Sequence, residues 1–204
     1  MRQGFRRPAE ALLRQVILTL IRQGLFLPFF HVIILPKGGD SVKYRADNTL
    51  HDFEFHDAEW HFVSYDSESL IVDAKHLNIH KNTAQNPANC DMELQLARIT
   101  FYGCEIITFE PGVPWITDAS GKSCPAEPLI TYTGHAAREM LLHELNCTTC
   151  IFAFSKSDCE RWRMAGCGDE PYFEAQISFD AVTIEWDEFR RPAWYVLREQ
   201  GIHA

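Results

Sequence analysis

The chain is predicted to fold as a mainly β (α+β) protein: an antiparallel β-sandwich or open barrel with one or two helices, plus an N-terminal helical extension. Three observations lead there. From residue 48 onward, apolar residues recur at every second position in at least six short runs, the period of a half-buried strand. Helical spacing is clear in only one stretch of that region. Charge changes sign near residue 45: residues 1–45 carry eight Lys/Arg against two acids, a net of +6, and residues 46–204 carry eleven against 26, a net of −15. The chain therefore divides into a basic amphipathic extension, 1–45, and an acidic β-rich domain, 46–204.

Within the extension, Leu12, Leu13, Val16, Ile17, Leu20 and Ile21 recur at helical spacing with Arg14 and Arg22 among them, an amphipathic basic helix. The apolar run 24–35 is too short to span a bilayer, and joining it to the helix would put Arg22 mid-span. Three readings stay open for it: an element packed on the domain, a loosely ordered extension, or a membrane-surface or export element. Contact of 1–35 with a membrane is the least favoured of them. The Lys37-Gly38-Gly39-Asp40 cluster is the natural breaker.

In the domain, Ala58, Trp60, Phe62 and Ser64 alternate with Glu59, His61, Val63 and Tyr65. After a turn at 66–69, Leu70, Val72 and Ala74 alternate in the same way, which predicts a hairpin. A polar loop covers 81–90. The apolar phase then shifts between Met92/Leu94 and Ile99/Phe101, as a bulge or a strand changing sheets would require. A strand over 105–109 leads into a long polar loop, 111–128. Ala137, Met140, Leu141 and Leu145 define the one clear helix, 135–145. A strand over 149–154, a helical turn over 157–165 and a closing hairpin over 173–186 complete the expectation. The Asp180-Ala181 turn of that hairpin lacks the Gly or Asn of the favoured two-residue types.

Composition excludes several function classes. An acidic domain without a basic, aromatic-interleaved patch repels nucleic-acid phosphates, so no nucleic-acid partner is expected. Seven irregularly spaced cysteines do not form a disulfide framework and fit reduced thiols in a cytoplasmic protein. Gly121-Lys122-Ser123 lacks the first glycine and the following helix of a phosphate loop. His143-Glu144 opens like a zinc-protease helix, but Cys147 stands where the second histidine belongs.

Two sets of side chains remain as site candidates. Asp57, Glu59, His61, His76 and His80 carry metal-ligand chemistry. Strand phase puts Asp57, Glu59 and His61 on one face, and His76 and His80 on one face of the next strand. Zinc or an Fe(II)-type ion held there would activate water and make the protein a metal-dependent hydrolase. The competing reading is a solvated strand face with no cofactor. Arg190, Arg191, Trp194 and Tyr195 form the second set, of the residue types that dominate protein interfaces. Here the competing reading is a sheet edge whose arginines neutralise Asp187 and Glu188. The trio His135, Glu139, His143 and the thiols Cys147, Cys150, Cys159 and Cys167 are weaker metal candidates.

The segments LHDFEFHDAEWHFVSYDSESLIV (50–72) and VTIEWDEFRRPAWY (182–195) carry a resemblance. They are similar to small β-rich bacterial families of uncharacterised domains, some placed among immunity proteins of toxin–immunity systems. The resemblance spans roughly 48–195. It implies a non-catalytic domain that binds a partner protein, and carries over no functional residues. The expectation is a non-catalytic protein-binding module for a basic partner, with the metal-dependent hydrolase as the alternative.

Overall fold

The structure is a computed structural model and describes residues 42–66, 68–158 and 160–201. The predicted helix of the N-terminal extension lies outside these residues. The domain is mostly β, as its alternating sequence requires, and among the described residues every strand pair is antiparallel.

The main sheet has ten strands, in the order β1 (Tyr44–Asp47), β15 (Ala181–Trp186), β7 (Ala97–Tyr102), β4 (Ser69–Lys75), β3 (Ala58–Tyr65), β12 (Thr149–Lys156), β13 (Arg161–Cys167), β14 (Phe173–Ser178), β8 (Glu105–Pro111) and β11 (Tyr132–Thr133). One face carries the core. Trp186, Ile184 and Val182 lie opposite Ala97, Ile99 and Phe101, which lie opposite Ala74, Val72 and Leu70. The row continues through Trp60 and Phe62, Ile151 and Phe154, Met164, Ala175 and Phe109. Bulges after Phe62 and Ile151 restore the phase, so Tyr65 joins the core face although simple alternation put it on the other.

The sheet is bent back on itself. Phe101 and Phe154 stand three strands apart, about 14 Å in a flat sheet, yet their ring centroids are 5.8 Å apart. The cause is a pair of corners. Only Gly103 and Cys104 separate β7 from β8, and only Phe179 and Asp180 separate β14 from β15. β7 pairs with β15 and β8 pairs with β14, so two long bent strands run side by side through one corner. The expected closing hairpin is therefore corrected: β14 and β15 continue one another rather than pair. The missing turn residues at 179–181 are explained, because no reversal occurs there.

Gly103 sits in this corner at φ +61°, and a Cβ on it would lie 2.3 Å from the Asp180 carboxylate. Gly103→Ala is expected to cost about 2 kcal/mol, since it combines left-handed strain with a displaced neighbour. Urea unfolding of the variant would check this.

Helix α1 (Gly134–Asn146) packs its buried Ala137, Leu141 and Leu145 against β8 and β3, close to the predicted 135–145. Two other expectations are corrected. Residues 161–167 form β13 rather than a helical turn, because pairing on both edges with β12 and β14 favours the extended chain. The loop 111–128 contains a small hairpin, β9 (Trp115–Thr117) with β10 (Ser123–Pro125), which leaves Trp115 64% exposed.

A second sheet has four strands, in the order β16 (Phe189–Pro192), β6 (Met92–Leu94), β5 (Asn78–Ile79) and β2 (Phe53–Glu54). The phase shift after Leu94 is the strand changing sheets, from β6 to β7. Phe53, Ile79 and Leu94 join the common core, and Phe53 meets Trp186 edge-on. The opposite face carries Glu54, Asn78 and Glu93, with His80 and Asp91 continuing the same register. A short helix, α2 (Trp194–Glu199), follows β16.

Candidate functional site

The histidines and the C-terminal arginine–aromatic cluster, separate in the sequence, meet on the polar face of the small sheet. The residues that join them are Asp91 and Glu93. Glu93 is nearly buried and accepts three charge-assisted bonds at 2.8 Å each: from His76 Nδ1, Arg190 Nη1 and Arg191 Nε. Asp91 accepts from His80 Nδ1 at 3.0 Å, the Tyr195 hydroxyl at 2.8 Å and the Lys81 backbone N–H at 2.8 Å. An ionised carboxylate only accepts, so both imidazoles carry their proton on Nδ1 at these contacts.

These bonds set the charges. Burial by itself would raise the Glu93 carboxyl, but Arg191, His76 and Arg190 outweigh it and hold it below the usual carboxylate range. Burial also opposes ionisation of Asp91, and is outweighed by Lys81 N–H, His80 and Tyr195. The Tyr195 hydroxyl is pushed up, by burial first and then by its bond to Asp91.

Both carboxylates ionise more readily folded than unfolded, so their contribution to stability is complete above the ordinary carboxylate range. It is lost as pH falls through the folded values. Stability of the domain is expected to fall steeply below about pH 4. Urea midpoints measured across pH 3 to 7 check this, and a flat profile would contradict the assignment.

Beside this network lies a cleft of about 370 Å³ lined by Glu54, His56, His80, Asp91, Trp194 and Tyr195. A larger depression, about 450 Å³, lies along β7 and β15, lined by Asp73, Glu185, Asp187, Glu188 and Arg98 among others. Both are rich in carboxylates, and Arg98 in the second is already bonded to Asp73.

The five expected metal ligands are dispersed. His76 and His80 belong to the network above. His76 Nε2 reaches Glu59 only at 4.0 Å, and Asp57 lies 3.6 Å from the exposed His56. His61 closes a row of directly opposed residues across five strands, Arg45, Glu185, Arg98, Asp73 and His61. Arg45, Glu185, Arg98 and Asp73 alternate in charge along that row, with Arg98 bonded to Asp73 at 2.8 Å. Among the described residues, no three His, Cys, Asp or Glu side chains are arranged to hold a metal ion.

Among the interface candidates, Arg190 and Arg191 are committed to Glu93 rather than to Asp187 and Glu188, and Trp194 and Tyr195 line the cleft. His135 and His143 sit exposed, beside Glu139 and Asp169 respectively. Cys150 faces Cys167 across β12 and β13, and Cys159 is outside the described residues. Burial, with Cys167, Asp57 and Glu59 nearby, pushes the Cys150 thiol up, away from the reactive thiolate. At Gly121-Lys122 the Asp118 carboxylate accepts the Ser120 and Lys122 backbone N–H groups, taking the place a phosphate would need.

Asp91, Glu93 and Glu54 were not evident from the sequence. The only signal was charge: two acids at period two on one strand face and an arginine pair nearly a hundred residues away. No protein-family model, curated protein or solved structure matches this chain.

Proposed function

We propose that this chain is a non-catalytic protein-binding module for a basic partner protein, acting in the bacterial cytoplasm as an immunity-type inhibitor of a basic enzyme. One observation carries the reading: carboxylates crowd both depressions, while four of the domain's arginines are already paired with carboxylates of the fold. Arg98 is held by Asp73, Arg163 by Glu174, and Arg190 and Arg191 by Glu93. A surface of this kind steers and selects a positively charged partner, and repels nucleic acid.

The test is capture from native lysate, followed by rebinding of the purified partner. A stoichiometric partner of net positive charge, released as salt is raised, is the expected result. Failure to find one, or a partner that is acidic and indifferent to salt, would remove the support.

A further inference from the structure

We infer that the cleft between the small sheet and α2 is an anchor pocket for one lysine or arginine side chain of that partner. The inference rests on the basic-partner reading and adds its point of contact. Two carboxylates, Glu54 and Asp91, and two aromatic rings, Trp194 and Tyr195, line the cleft, and neither lysine nor arginine does.

Asp91 is locked in place by three donors, so its charge is preorganised rather than free to turn away. Among the described residues, the Glu54 carboxylate accepts only the backbone N–H of His56, at 2.9 Å, which leaves most of it to a ligand. Trp194 and Tyr195 meet edge-to-face with centroids 5.7 Å apart. Rings of this kind offer a cation their negative π face and an aliphatic stem an apolar wall. The cleft volume is at the small end of the range for ligand sites and has room for one long side chain.

Catalysis fits the same residues less well. His80 is oriented by Asp91 as a general base would be, but the only hydroxyl lining the cleft is that of Tyr195. Its proton is held by Asp91 and its ionisation is suppressed. The lining therefore offers a cation two carboxylates and two rings, and holds no serine, threonine or cysteine to act as a nucleophile.

The experiment is an NMR titration of the full chain with an acetylated, amidated Gly-Arg-Gly peptide and with its neutral citrulline counterpart. The Trp194 indole N–H is identified from its loss in Trp194→Phe. The arginine peptide is expected to shift the Trp194 indole and the signals of Glu54, His80 and Tyr195, while citrulline leaves them unmoved. Glu54→Gln, isosteric and on the surface, is expected to weaken binding about tenfold; an unchanged dispersed spectrum shows that the variant is folded. An equal response to citrulline, or undiminished binding in Glu54→Gln, overturns the pocket. If the arginine peptide shifts only signals outside the cleft, the pocket falls and the basic-partner reading stands. If a hexa-arginine peptide at low salt also shifts nothing, both fall.

Discussion

Trp60→Ala is expected to lower the free energy of unfolding by about 4 kcal/mol. Trp60 is fully buried on β3, on the core face of the main sheet. Its ring meets Phe154 and Phe55 edge-on, with centroids at 5.4 and 6.1 Å, and Phe101 at 5.7 Å. These partners come from β12, from the segment after β2, and from β7. The ring thus bridges β7 and β12, which are far apart in sequence and three strands apart in the sheet. Its removal leaves a cavity bounded by rigid rings, which collapses poorly, so the transfer loss and the cavity loss add. A lower urea midpoint with an unchanged slope is the expected observation. Trp60→Phe should cost far less. It keeps an aromatic ring in place, and it removes an indole N–H that is buried without a hydrogen-bond partner.

Glu93→Ala is expected to cost about 3 kcal/mol, for an electrostatic reason. One buried carboxylate neutralises two arginines and takes a histidine bond. Without it, two guanidiniums and an imidazole keep their places beside a vacated, poorly solvated site. Arg190 and Arg191 are 43% and 36% exposed, so water recovers part of the loss and the cost sits at the low end for a broken buried pair. A triple variant, Glu93→Met with Arg190→Met and Arg191→Met, separates the causes. Stranded charge predicts that the triple variant recovers much of the stability lost by the single one. A triple variant as unstable as the single one would show that packing around Glu93, not its charge, dominates. In Glu93→Ala the acid sensitivity of the domain should also diminish, because one of the two depressed carboxylates of this network is gone.

Most of the secondary structure was legible in the sequence, because periodicity reports which side chains face the core. The 58–75 hairpin follows from alternation and the helix at 134–146 from its apolar stripe, while the phase shift after Leu94 fitted either a bulge or the change of sheet that occurs. The failures have local causes. The run 157–165 was ambiguous between helix and strand until partners on both edges chose the strand. The 173–186 segment shows two apolar phases, which fit a hairpin and a bent strand equally. The strand pairings distinguish them: β14 pairs with β13 and β8, and β15 with β1 and β7.

The site was legible by residue type but not by grouping. His76, His80, Arg190, Arg191, Trp194 and Tyr195 all stood out, and they form one neighbourhood instead of two. His61, with the same chemistry, went to the row it shares with Asp73 and Arg98 on the far side of the main sheet. By itself the sequence determined the β class, the helix, the core-facing residues and the acidic excess, since each depends on short-range pattern or on composition. Which charges meet was decided by the tertiary structure alone. Strand order sets β6 between β5 and β16, and so places Asp91 and Glu93 between the histidines and the arginines. That order depends on how a bent sheet and a small one share a single core, a long-range choice that no local pattern encodes.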